Sequence, residues 1–202
     1  DSSTMKLILK EVDIESGAFD ALAALLQNPK SKLAVLGLRG NATEDEAAAI
    51  LATGLTGNRT LKKLDLSRNR DITEEGWRTI FTALQSCRLE KLTLGSTAIN
   101  DTALLSLCQV LTINRHIKTL DLSFCHHITI AGWRILFELL QSPNSALEEL
   151  HLYSNAFTDE AAVSLTNSLI NNHRLRELNL HSNSNDGWGA FSAVLQSPHT
   201  AL

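Results

Sequence analysis

Histidines, cysteines and acids bound the chemistry this chain can perform. His151 and His181, with Asp121, are the residue types of a metal site or a proton relay. Neutral imidazole ligates transition metals and titrates near neutral pH. The spacing argues against both uses. The three residues lie on separate segments, and no HxxxH or CxxC brings further ligands to one point. His126-His127 falls in a loop leaving a strand and reads as a solvated turn. Cys87, Cys108 and Cys125 are an odd, sparse set, so neither a disulfide framework nor a zinc site is expected. Cys108 falls on a helix's apolar face and Cys125 in an inward position, both as small buried hydrophobes. Cys87, in a connecting turn, is the one candidate reactive thiol. There is no GxGxxG and no GxxxxGK[ST], so nucleotide binding has no support. No catalytic, cofactor-binding or metal-binding residue is expected, and the chain does not read as an enzyme.

Composition narrows the partners. Lys and Arg number 18 against 22 Asp and Glu, a net charge of −4, with no basic stripe interleaved with aromatics. That balance argues against nucleic acid. No apolar run approaches the roughly 18–20 residues of a membrane helix. Sparse cysteine suggests a reducing compartment, cytoplasmic or otherwise intracellular. The sequons at Asn41-Ala42-Thr43, Asn58-Arg59-Thr60 and Asn100-Asp101-Thr102 keep secretion as the alternative.

The elements that must position any site come from a repeat. LxxLxL recurs at Leu33-Leu36-Leu38, Leu61-Leu64-Leu66, Leu89-Leu92-Leu94, Ile117-Leu120-Leu122, Leu147-Leu150-Leu152 and Leu175-Leu178-Leu180, with a weaker copy at Thr4-Leu7-Leu9. Starts near 4, 33, 61, 89, 117, 147 and 175 are 28 to 30 residues apart. Each copy reads as a short strand with alternate leucines on one face. A helix follows, as in Trp77, Ile80, Phe81 and Leu84, or Leu104, Leu107, Cys108 and Leu111. One such unit cannot bury its own apolar faces, so stacking is required. The sheet is narrower than the helical layer and should lie on the concave side.

A longer period overlies the first. Ile72-Thr73-Glu74-Glu75-Gly76-Trp77 returns as Ile128-Thr129-Ile130-Ala131-Gly132-Trp133, with degenerate copies at Gly17-Ala18 and Gly187-Trp188. Slim helices alternate with these: Ala48, Leu51, Ala52, Leu55, and later Ala162, Leu165, Thr166, Leu169. The unit is thus a pair of about 56–58 residues. Trp77, Trp133 and Trp188 share a helical phase with Phe81, Phe137 and Phe191, which predicts core rather than a binding stripe. Thr43-Glu44-Asp45-Glu46 reads as a capping box.

The pattern LxxLxLxx(N/C) resembles the leucine-rich repeat, and its period resembles the ribonuclease-inhibitor type, over the whole chain. Asn41, Asn69, Asn155 and Asn183 hold the asparagine position, Cys125 fills it once, and Thr97 departs from it, which predicts a turn held less well. The resemblance implies an α/β solenoid, a horseshoe with a parallel sheet on the concave face and helices on the convex face. Residues 1–202 are expected to form a single domain of about seven repeats. Gln196 to Leu202 repeats Gln141 to Leu147, so Leu202 reads as the start of an eighth strand. The chain is therefore expected to be part of a longer array with flanking repeats or domains.

Between the leucines lie residues that should line the concave face in rows. The early repeats there are basic, through Lys6, Lys10, Arg39, Lys63, Arg68 and Lys91. The later ones are acidic and aromatic, through Asp121, Phe124, Glu149, His151, Tyr153, Glu177 and His181. Exposed aromatics among charges are the composition of an interface. Lys63, Asp65, Arg68, Lys91, Asp121, Phe124, Glu149, His151, Tyr153, Glu177 and His181 are the predicted protein-binding residues. The expected function is a non-catalytic interaction module with a protein partner. Two alternatives follow from the similarity to NOD-like receptor sensor repeats and to Ran GTPase-activating proteins, and from the apparent open ends. One is a regulator of a small GTPase; the other is a scaffold arm in a large assembly.

Overall fold

A computed structural model of the chain describes residues 4–183, apart from 42 and 144. Seven short strands alternate with six helices. The strands are β1 (Met5–Ile8), β2 (Leu33–Gly37), β3 (Lys63–Asp65), β4 (Lys91–Thr93), β5 (Thr119–Asp121), β6 (Glu149–His151) and β7 (Glu177–Asn179). The helices are α1 (Ser16–Gln27), α2 (Asp45–Leu55), α3 (Glu74–Leu84), α4 (Asp101–Ile113), α5 (Ile130–Gln141) and α6 (Asp159–Leu169). The strands form one parallel sheet in chain order. Close approaches between elements link consecutive strands and consecutive helices, as in a one-dimensional stack.

The leucines explain the stacking. Leu36, Leu64, Leu92, Leu120 and Leu150 are in register across neighbouring strands and fully buried. The leucines that bracket them, such as Leu61 and Leu66, are buried too. On the helical side Trp77 stacks on Phe81 at 5.6 Å between ring centres, and Trp133 packs edge-on against Phe157 at 5.0 Å. Both tryptophans are core residues, as their phase predicts. Gly187-Trp188, Phe191 and the start of an eighth strand lie outside the described residues.

Each strand must bend towards its helix, and the bend buries backbone polar groups that need partners. The buried asparagines supply them. Asn69 Nδ2 donates to Leu38 O of the preceding repeat at 3.0 Å and to Leu66 O of its own at 2.9 Å. Its Oδ1 accepts from Asn41 N at 3.0 Å. Asn155 and Asn183 repeat the arrangement. Cys125 substitutes with Sγ 3.5 Å from Leu94 O. The Thr97 hydroxyl donates to Leu94 O within its own turn at 2.7 Å. Among the described residues its side chain makes no bond to the preceding repeat, so this turn has fewer ties than its neighbours.

A second set of ties generates the pair period. Asp45, in the first turn of α2, accepts from Thr73 N at 2.8 Å, at the entrance to α3. Asp101 of α4 accepts from Thr129 N at 2.7 Å, at the entrance to α5. A carboxylate at a helix N-terminus satisfies orphan donors and opposes the helix dipole. A Cβ on Gly76 or Gly132 would collide with that carboxylate, which is why glycine precedes each tryptophan. After each slim helix an asparagine reaches back. Asn58 Nδ2 donates to Leu26 O at 2.7 Å, and Asn172 Nδ2 to Leu140 O at 2.7 Å. Asn114 Nδ2 does the same for Leu84 O and for Cys87 O, the latter at 2.8 Å. These amides donate to last-turn carbonyls of α1, α3 and α5, which have no partner further along their own helix. The slim helices α2 and α4 are thereby fastened forward by an acid and backward by an amide, and α6 backward by Asn172.

The expected capping box does not form. Helix α2 is capped by Glu44 without a side-chain bond, and Thr43 Oγ1 is buried without a partner. Asp45, the third residue of the motif, serves the next repeat instead.

Chemical denaturation tests these ties. Asn69→Ala should cost roughly 3 kcal/mol, since several buried groups lose partners, whereas Thr97→Asn should gain about 1 kcal/mol. Gly132→Ala should cost roughly 1–3 kcal/mol despite the better helix propensity of alanine. Much of that cost should vanish in an Asp101→Ala background, as a double-mutant cycle would show.

Candidate functional site

The strand face opposite the leucines carries the candidate residues in rows. The register aligns Lys63, Lys91, Thr119, Glu149 and Glu177 in one row, and Asp65, Thr93, Asp121, His151 and Asn179 in the next. Neighbours in a row are about 4.8 Å apart. A third row, Arg39, Ser67, Gly95, Ser123, Tyr153 and His181, is held beyond the strands by backbone bonds such as Gly40 N to Ser67 O at 3.0 Å and Phe124 N to Tyr153 O at 2.9 Å.

The next residue of every repeat is left-handed. Glu11, Gly40, Arg68, Ser96, Phe124, Ser154 and Ser182 have φ between 54° and 65°. This conformation turns the chain off the sheet and holds the Arg68 and Phe124 side chains at its rim. It costs a non-glycine residue roughly 1 kcal/mol or more, so the surrounding stack must enforce it. Gly40 was the one sequence signal for this turn.

Three aromatic rings make a continuous strip. Phe124 meets Tyr153 edge-on at 4.8 Å, and Tyr153 stacks on His181 at 5.2 Å and 13°. His126, which reads from sequence as a solvated turn residue, is exposed but also contacts Phe124 edge-on at 6.2 Å. Beside the strip the third row is small: Ser67, Gly95 and Ser123. The surface sinks there into a cavity of about 370 Å³ bounded by Arg39, Arg68, Lys91, Asp121, Phe124, His151 and Tyr153. Arg39 and Gly95 were not among the predicted binding residues. A larger groove of about 450 Å³ lies between α2 and α3, where Ala49, Ala52 and Ala83 leave room. It gathers a single ion pair, Arg78 with Glu75, and follows from the slimness of α2.

Six predicted residues, Arg68, Lys91, Asp121, Phe124, His151 and Tyr153, therefore share one depression. His181 joins them through Tyr153. Lys63, Asp65, Glu149 and Glu177 lie along the first two rows outside it. Asp65 and Asp121 also hold the turns, since Oδ1 of each accepts from the backbone N–H two residues on, at 3.0 and 2.9 Å. Arg68 lies 3.4 Å from Glu11, and His151 Nδ1 lies 3.9 Å from Glu177. Among the described residues no group of three or more His, Cys, Asp or Glu is placed to hold a metal.

Other sequence candidates resolve into structure. Cys87 is buried, not a reactive surface thiol, and burial raises its pKa. Burial pushes Cys108 up to about 12 and Cys125 up to about 11. Asn41 and Asn58 are buried, with side-chain nitrogens donating to Leu9 O and Leu26 O, so neither sequon is open to a sugar in the fold. Asn100 caps α4 by accepting from Ala103 N at 2.9 Å. Among the described residues no helix is long and apolar enough to cross a membrane.

A family model described as Leucine Rich repeat matches residues 57–80, 114–132 and 144–165. Mouse ribonuclease inhibitor is 30% identical over 205 residues, which cover 100% of this chain and 44% of the inhibitor. These are leucine-rich repeats of the ribonuclease-inhibitor type. A mouse NACHT, LRR and PYD domains-containing protein 14 is 31% identical over 197 residues, covering 95% of this chain and 20% of that protein. The chain thus spans less than half the length of either leucine-rich-repeat relative. The tropomodulin C-terminal domain of Caenorhabditis elegans shares the fold, with a TM-score of 0.57 at 16% identity over 77% of this chain and 93% of that one.

The buried thiols of these repeats give a direct check. At neutral pH an alkylating reagent should leave all three cysteines unmodified in the native protein and modify them on denaturation, as intact mass would show. Thiols of the unfolded chain ionise above their ordinary value of 9.0, while Cys108 and Cys125 stay protonated. Stability should therefore be unaffected by these groups below pH 9.0 and fall progressively from there towards about 11 and 12, as thermal melting would report.

Proposed function

We propose that this chain is a non-catalytic protein–protein interaction module whose partner docks on the concave strand face. The observation that carries the reading is the Phe124–Tyr153–His181 strip beside a depression walled by Arg39, Arg68 and Lys91. Rigid aromatics and arginine around a recess are the composition of an interaction hot spot. The relatives support a binding role: one is named for inhibiting a ribonuclease, itself a protein. Three unpaired, buried cysteines are in keeping with an intracellular setting. Lys63, Asp65, Glu149 and Glu177 would form the charged rim, and Asp121 and His151 the polar wall of the recess.

A convex site is the rival, because Leu105, Ile113 and Val163 are exposed on the helical side. Tagged chain should be crosslinked to its partners in two variants. Phe124→Ala, Tyr153→Ala and Arg68→Ala together should reduce capture more than tenfold, with melting unchanged. Leu105→Ser, Ile113→Ser and Val163→Ser together should leave capture intact. The reverse pattern would move the binding site to the helices.

A further inference from the structure

From β3 to β7 the first row of the strand face, which continues through Val35 to Lys6 at its front end, is ordered by charge. Lys63 and Lys91 are in register neighbours, Thr119 is neutral, and Glu149 and Glu177 are in register neighbours. Like charges placed side by side on a sheet repel. No ion pair among the described residues involves either lysine. Asp65 and Asp121, acids on the same face, are engaged by the turn amides of Ser67 and Ser123. At the other end Glu149 accepts from Thr119 Oγ1 at 2.9 Å, and Glu177 faces His151 Nδ1 at 3.9 Å. Neither acid meets a lysine or arginine among these pairs. The row is therefore a dipole lying across the strands. Its poles are three strand spacings apart, roughly 14 Å.

We infer that the partner presents a bipolar polypeptide segment running across the strands. Its acidic end lies over Lys63 and Lys91, its basic end lies over Glu149 and Glu177, and an apolar side chain between them enters the recess beside Phe124 and Tyr153. The inference rests on the concave-face reading and adds the chemistry and direction of the partner. The separation of the poles corresponds to about four residues of extended chain. A uniformly acidic partner would satisfy the lysines and be repelled at the glutamates, and a uniformly basic one the reverse.

Labelled peptides provide the test. The probes are a bipolar peptide, with two Glu and two Lys separated by a two-residue spacer containing Leu, which sets the charge centres four residues apart, and all-Glu and all-Lys peptides with the same spacer. Fluorescence anisotropy with the chain at low salt should show the bipolar peptide binding at least tenfold tighter than either uniform one. High salt should erase that preference. Lys63→Glu with Lys91→Glu leaves only acids among the charged residues of the row from β3 to β7 and should shift the preference at least tenfold towards the all-Lys peptide. Adding Glu149→Lys and Glu177→Lys should restore the bipolar preference, with the peptide reversed. The inference is overturned if the all-Glu peptide binds wild type as tightly as the bipolar one. It is also overturned if no bipolar binding is detected, or if the double variant keeps the wild-type preference. Those results would leave the crosslinking contrast between concave and convex variants untouched, so failure of this inference is distinguishable from failure of the concave-face reading.

Discussion

A single side-chain amide shared by two repeats is the constraint on which the rest depends. Asn69 is fully buried, yet it holds carbonyls at Leu38 and Leu66 and the amide of Asn41. It can do so only if the neighbouring strands stand level. A slip of one residue would strand these groups without water, and would also turn the leucines outward. Hydrophobic burial drives the stacking, and the buried amides choose its register. From that register come the level rows of the strand face, including the charge-ordered one.

Alternation along the stack has a separate cause. Asp45 and Asp101 reach forward to the entrances of α3 and α5, and Asn58, Asn114 and Asn172 reach back to the exits of α1, α3 and α5. Every one of these five side chains belongs to a repeat with a slim helix. The repeats of α1, α3 and α5 receive the ties, and those of α3 and α5 bury Trp77 and Trp133. Gly76 and Gly132 are the counterpart of the carboxylates, since no side chain fits where the acid docks. A pair of repeats is the smallest unit in which both roles are present.

The candidate site uses what this frame leaves over. Its strand residues point away from the leucines that bear the packing, although Asp65 and Asp121 also hold the turns. Its rim residues are held left-handed by the turn the asparagines organise. The recess exists because Ser67, Gly95 and Ser123 follow one another in the third row while Arg39 and Tyr153 flank them. Charge order, rather than a deep pocket, is the main feature of this face, together with one aromatic strip.

Much of this was legible in the residues alone. The leucine period determined the strands, their parallel order and their rows, because a side-chain period of two and a fixed repeat leave one way to bury every leucine. The phase of Trp77 with Phe81 placed it in the core, and Thr97 marked its weaker turn, since each argument needs only local spacing. Tertiary structure decided everything that joins residues some 28 or more positions apart. Asp45 reads as part of a capping box until the neighbouring helix entrance is seen beside it, and Cys87 reads as an exposed turn until the Asn114 loop closes over it. The left-handed rim, the Phe124–Tyr153–His181 strip and the recess over Gly95 belong to the same class. Each depends on side chains from successive repeats, and their proximity is created by stacking rather than by any spacing within one repeat.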